Sequence, residues 1–451
     1  MVEVNQAYLE DASGFRGHAE RVFFPCYETD VCEVLRQASA SGVPVTVAGA
    51  GTGVTGARVP MGGWVISLEK LDTLEIREGA ALAGAGVLLR DLHAEASATG
   101  QVYPPDPTEI TASVGGTIAT NASGARSFRY GGTRRHVLAL RVMLADGTVR
   151  RYQRGQKVDF ETGSVPLPRT SKHTAGYYLR PGMDWVDLFI GSEGTLGVVT
   201  QAELRLLPAP AALLGGVVFF DDDDRAMDAV EAWRADPSMR MIEYFDRGSL
   251  DLLHRPAGAA ILFEQELASE DDPVVDSWIQ RLAGSMDSWF ALSARDRESF
   301  RQFRHALPER VNDTVRRNGF LKLGSDYAVP AERNREMLAY YRRRLETQFP
   351  GRYVIFGHVG DAHLHVNILP ASDEDCLRGS ELMLEFARKA VSLGGTVSAE
   401  HGLGKRKAHL LGLQYGASDL ERMKAVKRRL DPQWLLGRGT LWPVTSPPAP
   451  R

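Results

Sequence analysis

Hydrophobic and polar residues alternate over short runs in the first half of the chain, as is typical of half-buried strands. Residues 43–48 and 64–71 are rich in β-branched side chains, and residues 138–144 alternate strictly. Asp146-Gly147 and a second polar–apolar run at 148–152 follow, which predicts a hairpin. Another alternating run, ending at Leu206, predicts a further strand.

The pattern changes after Pro208-Ala209-Pro210. Four acidic residues, 221–224, precede apolar residues at helical spacing, and we interpret them as a solvated helix start. Similar spacing predicts helices over 330–349, 382–393 and 419–430, with strands over 353–356 and 364–369. The fold class is therefore predicted as α+β, with a glycine-rich first unit and a second α+β unit.

Composition narrows the class of protein. A chain of 451 residues with 43% hydrophobic and 24% charged residues is typical of a globular protein of two or three domains. The net charge of −4 argues against nucleic acid as a partner. No secretion signal or spanning segment is recognisable, and the three cysteines cannot form a disulfide framework, so we expect a cytoplasmic protein.

Glycine makes up 45 residues, about 10% against a usual ~7%. Residues 51–56 match G-x-G-x-x-G after a predicted strand, but Pro60, Gly62 and Gly63 stand where a dinucleotide fold needs a helix. The loop is either a phosphate-binding nest or a plain turn. Two more segments of small residues, 103–124 and 191–200, favour one large ligand with phosphates and a flat ring system.

Histidines cluster in the second unit. His358, His363 and His365 lie within eight residues, and Glu400-His401 follows. Two imidazoles and a carboxylate with an open position form a catalytic zinc set, whereas a lone strand histidine is usually structural. The residues alone leave open a metal site, a zinc hydrolase and buried structural histidines.

Six motifs together carry a resemblance. The sequence resembles the vanillyl-alcohol-oxidase/PCMH family of FAD flavoproteins, and within it the FAD-linked D-2-hydroxyacid dehydrogenases. The matching segments are GAGTGVTGARVP (49–60), YPPDP with ASVGGTIATNASG (103–124), KHTAGYYL (172–179), FIGSEGTLGVVT (189–200), FGHVGDAHLHVNI (356–368) and SAEHGLGKRK (398–407).

The resemblance implies a PCMH-type FAD-binding domain over residues 1–208, completed by 431–451, and an α+β cap domain over 209–430. The first loop would bind the FAD pyrophosphate, segment 103–124 the isoalloxazine and ribityl chain, and segment 189–200 the adenine side. Residues 49–60 contain no histidine, so non-covalent FAD is expected. The implied FAD contacts are Gly49, Gly51, Thr52, Gly53, Val54, Thr55, Gly56, Pro105, Asp106, Ser113, Gly115, Gly116, Thr117, Asn121, Ser123, Gly124, Glu193, Gly194, Gly197 and Val198.

The same resemblance assigns the chemistry. His358, His365 and Glu400 match the metal ligands, with zinc the expected ion and manganese or iron left open. Asn367 matches a substrate-holding position, and His401 matches the proposed general base. His363 stands where relatives often have asparagine, so we do not assign it as a ligand.

The substrate carboxylate needs cations, and Arg304 and Lys322 match the family positions. Relatives usually pair this arginine with a following glutamate, where this chain has His305. Pro308 replaces a hydroxyl residue of the 2-hydroxyglutarate enzymes, which favours a small acid. D-lactate is therefore the expected substrate, with glycolate and D-2-hydroxyglutarate as alternatives.

Three scattered cysteines exclude an iron–sulfur module within this chain, so a separate electron acceptor is expected: a quinone, an electron-transfer flavoprotein or an iron–sulfur subunit. A homodimer and a peripheral contact with the inner membrane stay open. The segment after Asp431-Pro432 lacks the flavin-approaching asparagine of relatives. Two rival functions remain: a zinc hydrolase, and a non-catalytic FAD-binding subunit of a larger oxidase complex.

Overall fold

The computed structural model describes residues 4–282 and 288–443. The first half mixes short strands with short helices. Its elements, in chain order, are β1 (Arg21–Phe23), α1 (Glu28–Ser41), β2 (Val45–Ala48), β3 (Trp64–Ser67), β4 (Leu74–Arg77), β5 (Ala80–Gly84), α2 (Leu89–Ala98), β6 (Gln101–Val102), α3 (Val114–Thr120), α4 (Ser127–Tyr130), β7 (Val137–Met143), β8 (Val149–Gln153), α5 (Trp185–Phe189), β9 (Val198–Arg205) and β10 (Leu207–Pro208).

The second half has longer strands and helices. Its elements are β11 (Ala212–Phe220), α6 (Asp223–Arg234), β12 (Met239–Asp246), α7 (Arg247–Leu252), β13 (Ala259–Leu267), α8 (Val274–Leu282), β14 (Trp289–Ala291), α9 (Ala294–Arg317), β15 (Leu323–Gly324), α10 (Asn334–Gln348), β16 (Tyr353–His358), β17 (His363–Ile368), α11 (Asp373–Ser392), α12 (Leu411–Gln414) and α13 (Ala417–Leu430).

Two sheets organise the first half. Among the described residues, β1, β3 and β2 form a parallel sheet in that order, and β4, β5, β9, β7 and β8 form an antiparallel sheet. The predicted hairpin is confirmed, since β7 pairs with β8 across Asp146-Gly147. The glycine-rich loop after β2 runs into strand β3 without an intervening helix, so the rejection of a dinucleotide fold is also confirmed.

One antiparallel sheet, with strands of different lengths, forms the centre of the second half. Its strand order within the described residues is β14-β11-β13-β12-β16-β17-β15. Helix α9 covers one face, where Leu307 and Val311 pack with Leu262 and Phe356. Helices α6, α10 and α11 cover the other face. Because both faces are covered, β12 and β16 are buried along their whole length, and the observed mixed α+β fold agrees with the predicted class.

The observed start of a helix differs from the predicted one where the first turns of the helix are polar. Helix α11 begins at Asp373, nine residues before the predicted start, because its first turns are charged and Ser372 caps it.

The chain then returns to the first half: Val45 N–H donates to Leu435 O and Gly437 N–H donates to Val45 O. The predicted completion of the FAD-binding domain extends to 451, of which residues 444–451 lie outside the described residues.

Across residues 4–282 and 288–443, no helix is both long and apolar enough to cross a bilayer.

Candidate functional site

An open cavity lies between the loop after β2, helix α3 and the loop before β9, and reaches Glu400 and His401. Most of the residues that the sequence assigns to FAD line it. These are Gly49, Gly51, Thr52, Gly53, Val54, Thr55, Ser113, Gly115, Gly116, Thr117, Ser123, Glu193, Gly194 and Gly197. Three chain segments that are far apart in the sequence therefore meet around one cavity.

The loop after β2 presents a run of free backbone donors. Gly51 has a φ of +85°, a conformation that a side chain would strain. The amide groups of residues 51–55 donate to no acceptor within the described residues, whereas the Gly56 amide donates to Asp11 Oδ2 at 3.0 Å. Unpaired amides along a glycine-rich loop can bind an anion, so the loop fits the pyrophosphate of FAD.

Other residues assigned to FAD lie outside the lining of this cavity. Asp106 pairs with Arg126 at 2.6 Å in a neighbouring cleft. Asn121 ends helix α3 in a left-handed conformation and donates to the carbonyl of His173. Glu193 lines the cavity but accepts from the amides of residues 403 and 404. The remaining ones, which do not line the cavity, are Gly56, Pro105, Gly124 and Val198.

Two imidazole nitrogens and one carboxylate oxygen converge beside the cavity. His358 Nε2 lies 3.2 Å from Glu400 Oε1, and His365 Nε2 lies 3.5 Å from the same oxygen. His363 joins them, with ligand atoms of all four residues within 4.8 Å of one another. Strand β17 places His363 and His365 on one side, with ring centroids 4.3 Å apart. The donor set of two imidazoles and a carboxylate fits a divalent cation.

Each candidate ligand is fixed through its other atom. His358 Nδ1 lies 2.5 Å from Glu243 Oε1, and His365 Nδ1 lies 3.1 Å from the carbonyl of Ser325. Such partners orient ring nitrogens toward a metal. Burial opposes protonation of His358, yet the carboxylates of Glu243 and Glu400 raise its pKa to about 8. The surroundings therefore favour a positive charge at this point.

Glu400 is held from the first half of the chain. Its Oε2 accepts from Ser123 Oγ at 3.1 Å and from Lys172 Nζ at 3.2 Å, and Lys172 also lies 3.3 Å from Asp361. Burial disfavours the carboxylate, but Lys172 and His358 hold the pKa of Glu400 well below its usual range. One oxygen of Glu400 is thus anchored, and the other faces the two histidines.

The loop carrying Glu400 and His401 is fixed by two buried carboxylates. Asp326 accepts from the amides of Glu400 and His401 at 3.3 and 3.0 Å. Glu193 accepts from the amides of Leu403 and Gly404, and burial raises the pKa of Glu193 to about 7. The loop also touches the glycine-rich loop, because a Cβ at Gly404 would stand 2.2 Å from Thr55 O. The two candidate binding regions are therefore in direct contact.

His401 lies where these regions meet. Its Nδ1 is 3.6 Å from Asp326 Oδ1, its ring stacks on His365 at 5.6 Å, and its side chain is 31% exposed, toward the cavity. Burial lowers the pKa of His401 to about 4 although Asp326 and Glu400 oppose this. A neutral imidazole beside a polarised hydroxyl can accept a proton.

The predicted substrate cations also approach each other. Arg304, on α9, is 8% exposed, and its Nε donates to Glu243 Oε2 at 3.1 Å. Burial and the charges of Lys407 and Arg304 lower the pKa of Lys322. Asn367 is buried, and its Nδ2 has no acceptor within the described residues. The structure brings Arg304, Lys322 and Lys407 into one positive group near the histidine cluster.

Several of these residues were not predicted from the sequence. Lys172 lies in a segment quoted for the resemblance but received no role, and Asp326, which lies outside the quoted segments, received none either. Glu243 is an acidic residue in the middle of the fully buried strand β12, which is an available signal, since a buried carboxylate needs a partner. Its partner His358 stands 115 positions away, so the sequence could not show the pairing.

Comparisons with known proteins identify families that both halves of the chain match. Residues 19–153 match the FAD binding domain family, and residues 210–441 match the family of FAD linked oxidases, C-terminal domain. The chain is 29% identical to a D-lactate dehydrogenase of Anaerostipes hadrus, over 97% of this chain and 93% of that protein. It is 28% identical to glycolate oxidase subunit GlcD of Bacillus subtilis, over 96% and 92%. A solved alkyldihydroxyacetonephosphate synthase shares the fold, with a TM-score of 0.67, 14% identity and coverage of 92% of this chain and 75% of that one.

Proposed function

The chain belongs to the family of FAD linked oxidases, and from this premise we propose that it oxidises a D-2-hydroxy acid to the 2-oxo acid. D-lactate is the proposed substrate, with glycolate and D-2-hydroxyglutarate as the alternatives to be compared. One observation carries the proposal: His358 Nε2, His365 Nε2 and Glu400 Oε1 converge beside the cavity that the glycine-rich loop lines. A hydroxyl activated there would be next to the flavin.

Bound FAD would accept the hydride equivalent from the substrate Cα, and a divalent metal, zinc by preference, would polarise the substrate hydroxyl. The residues of the chain hold and deprotonate the acid. Arg304 and Lys322 bind its carboxylate, and Asn367 donates from its free amide nitrogen. His401 accepts the hydroxyl proton at a ring nitrogen, since its low pKa keeps the imidazole neutral.

The surrounding groups set the geometry of this reaction. Glu243 contacts both His358 and Arg304, so one carboxylate fixes a metal ligand and a substrate cation relative to each other. Non-covalent FAD is part of the proposal. Electrons then leave for a separate acceptor, because the three cysteines are free and scattered within the described residues.

A zinc hydrolase would use the same three ligands but would leave the run of free amides at residues 51–55 without a role. A non-catalytic FAD-binding subunit would leave the ordered contacts of Glu400 and His401 without a role. The geometry therefore favours the dehydrogenase.

The test is anaerobic mixing of the purified holoenzyme with D-lactate, glycolate, D-2-hydroxyglutarate and L-lactate, followed by flavin absorbance. We expect bleaching by a D-acid and none by L-lactate, with the fastest rate for D-lactate. Removal of metal by a chelator should slow the bleaching while the flavin stays bound. A colourless protein, or bleaching that ignores both stereochemistry and chelation, contradicts the proposal.

A further inference from the structure

The charges around the large cavity are unevenly distributed. Its lining includes the acidic side chains of Asp11, Glu109, Glu193 and Glu400, which would repel an anionic ligand. Within the described residues, Arg58 is the one lysine or arginine in that lining. FAD carries its negative charge on the diphosphate, so the position of this single guanidinium becomes informative.

Arg58 lies directly on the glycine-rich loop. A Cβ built on Gly51 would be 2.0 Å from Arg58 Nη1, so the guanidinium occupies the space that only a glycine leaves open. Nη1 donates to the carbonyl of Gly49 at 3.3 Å, and Nη2 donates to the carbonyl of Ala7 at 2.7 Å. These contacts fix the guanidinium beside the free amides of residues 51–55.

Arg58 has no directly paired carboxylate in the described part of the chain, although the more distant charges of Asp11 and Glu69 stabilise it. No carboxylate there forms an ion pair with it, and its buried Nε has no acceptor. Burial lowers the pKa of Arg58, which reflects the cost of holding this cation away from water. A half-buried cation without a directly paired carboxylate, next to unpaired backbone amides, points to an anion supplied by a ligand.

We propose that the Arg58 guanidinium pairs with the diphosphate of FAD and adds an ionic contact to the backbone nest. The inference rests on the proposed function only in taking FAD as the ligand. Arg58 is then a binding residue for the cofactor, and the acidic lining explains why the nest needs a cation. It also links residues near Ala7 to cofactor binding, because the same guanidinium contacts both.

The experiment uses the full chain after removal of flavin. FAD is titrated by quenching of its fluorescence, and ADP and adenosine are compared by how well they displace FAD. Arg58→Gln should weaken FAD about 10- to 100-fold, the effect of one charge-assisted hydrogen bond. The preference for ADP over adenosine should fall by about the same factor, because only ADP carries the diphosphate.

A purely structural role predicts a different result. If Arg58 only ties residues near Ala7 to the loop, Arg58→Gln should weaken ADP and adenosine equally, and the inference is then overturned. Should the variant not fold, the wild-type chain gives a second measurement: its ADP preference must drop at least about fivefold between 20 and 500 mM NaCl. A salt-independent preference also overturns the inference. Failure of the wild type to bind any FAD would instead overturn the proposed function.

Discussion

The glycine-rich loop and the histidine cluster meet at Gly404 but are built in opposite ways. The loop offers backbone amides, and its side chains are small enough to leave them accessible. The cluster offers side-chain atoms, each held by a buried partner: Glu243 for His358, the Ser325 carbonyl for His365, and Lys172 for Glu400. A flat, phosphate-bearing ligand is held by backbone shape, whereas a metal ion needs a few atoms at fixed distances.

This difference predicts how each region fails. The glycine-rich loop should tolerate substitutions around it as long as its own backbone conformation is kept. A side-chain cluster depends on partners from distant segments, so substitutions far along the chain should disturb it. Changes in one region should therefore leave the ligand of the other bound.

His401→Asn should separate reaction from cofactor binding with the largest effect. Loss of the proton acceptor is expected to slow anaerobic flavin reduction by about 10²- to 10⁴-fold. The flavin spectrum and FAD content should equal those of the wild type, because His401 lies at the edge of the cavity. Stopped-flow absorbance measures the rate, and a rate within threefold of the wild type would reject His401 as the base.

Gly51→Val should weaken FAD binding by the glycine-rich loop and leave metal binding by the histidine cluster unchanged. Gly51 has a φ of +85°, which costs a β-branched residue on the order of 1–3 kcal/mol, so FAD affinity should drop about 10- to 100-fold. Metal content, measured by elemental analysis, should not change. Gly79→Val is the matched control, since Gly79 has a φ of +72° with no atom within 4 Å and lies outside the cavity lining. Equal FAD loss in both variants would show a general folding defect.

Lys172→Met should disturb the cluster through a residue from the other half of the chain. Lys172 is fully buried and anchors Glu400 Oε2, so we expect metal affinity or flavin-reduction rate to fall about 10- to 100-fold with FAD retained. Lys157→Met provides a control, because Lys157 pairs with Asp184 at an exposed position. Unchanged metal affinity and rate in Lys172→Met would mean that Glu400 needs no anchor.

Acid should destabilise the folded chain in a defined pH range. Burial lowers the pKa of His136 to about 4 and that of His173 to about 3, while the unfolded chain keeps values near 6.5. Between pH 6.5 and 4 the unfolded state binds more protons, so the free energy of unfolding falls as pH falls. The expected slope is up to about 1.4 kcal/mol per pH unit for each histidine.

Urea unfolding followed by tryptophan fluorescence at pH 7, 6 and 5 measures this slope. His173→Gln should make it shallower, since a glutamine does not titrate. A slope that is the same in the variant and the wild type would show that His173 is not buried in its neutral form.

Much of the glycine-rich loop could be predicted from the sequence, because the spacing of glycines indicates the local backbone geometry. Pro60 and the glycines after the loop excluded a following helix, and β3 follows in the structure. The histidines were also recognisable, since His363 and His365 must share one side of a strand. Helix α11 shows the limit: charged first turns carry no hydrophobic period, so its start at Asp373 was placed too late.

The mixed fold class, the absence of a helix after the glycine-rich loop and the types of ligand atoms available follow from the amino-acid sequence alone. These depend on near neighbours in the chain and on side-chain chemistry. The packing of distant segments was needed to show that Lys172 and Ser123 hold Glu400, that Glu243 joins His358 to Arg304, and that Arg58 lies on the loop without a directly paired carboxylate. Burial and long-range pairing set the protonation state and the orientation of each side chain. Burial and pairing in turn arise only when distant segments of the chain pack together.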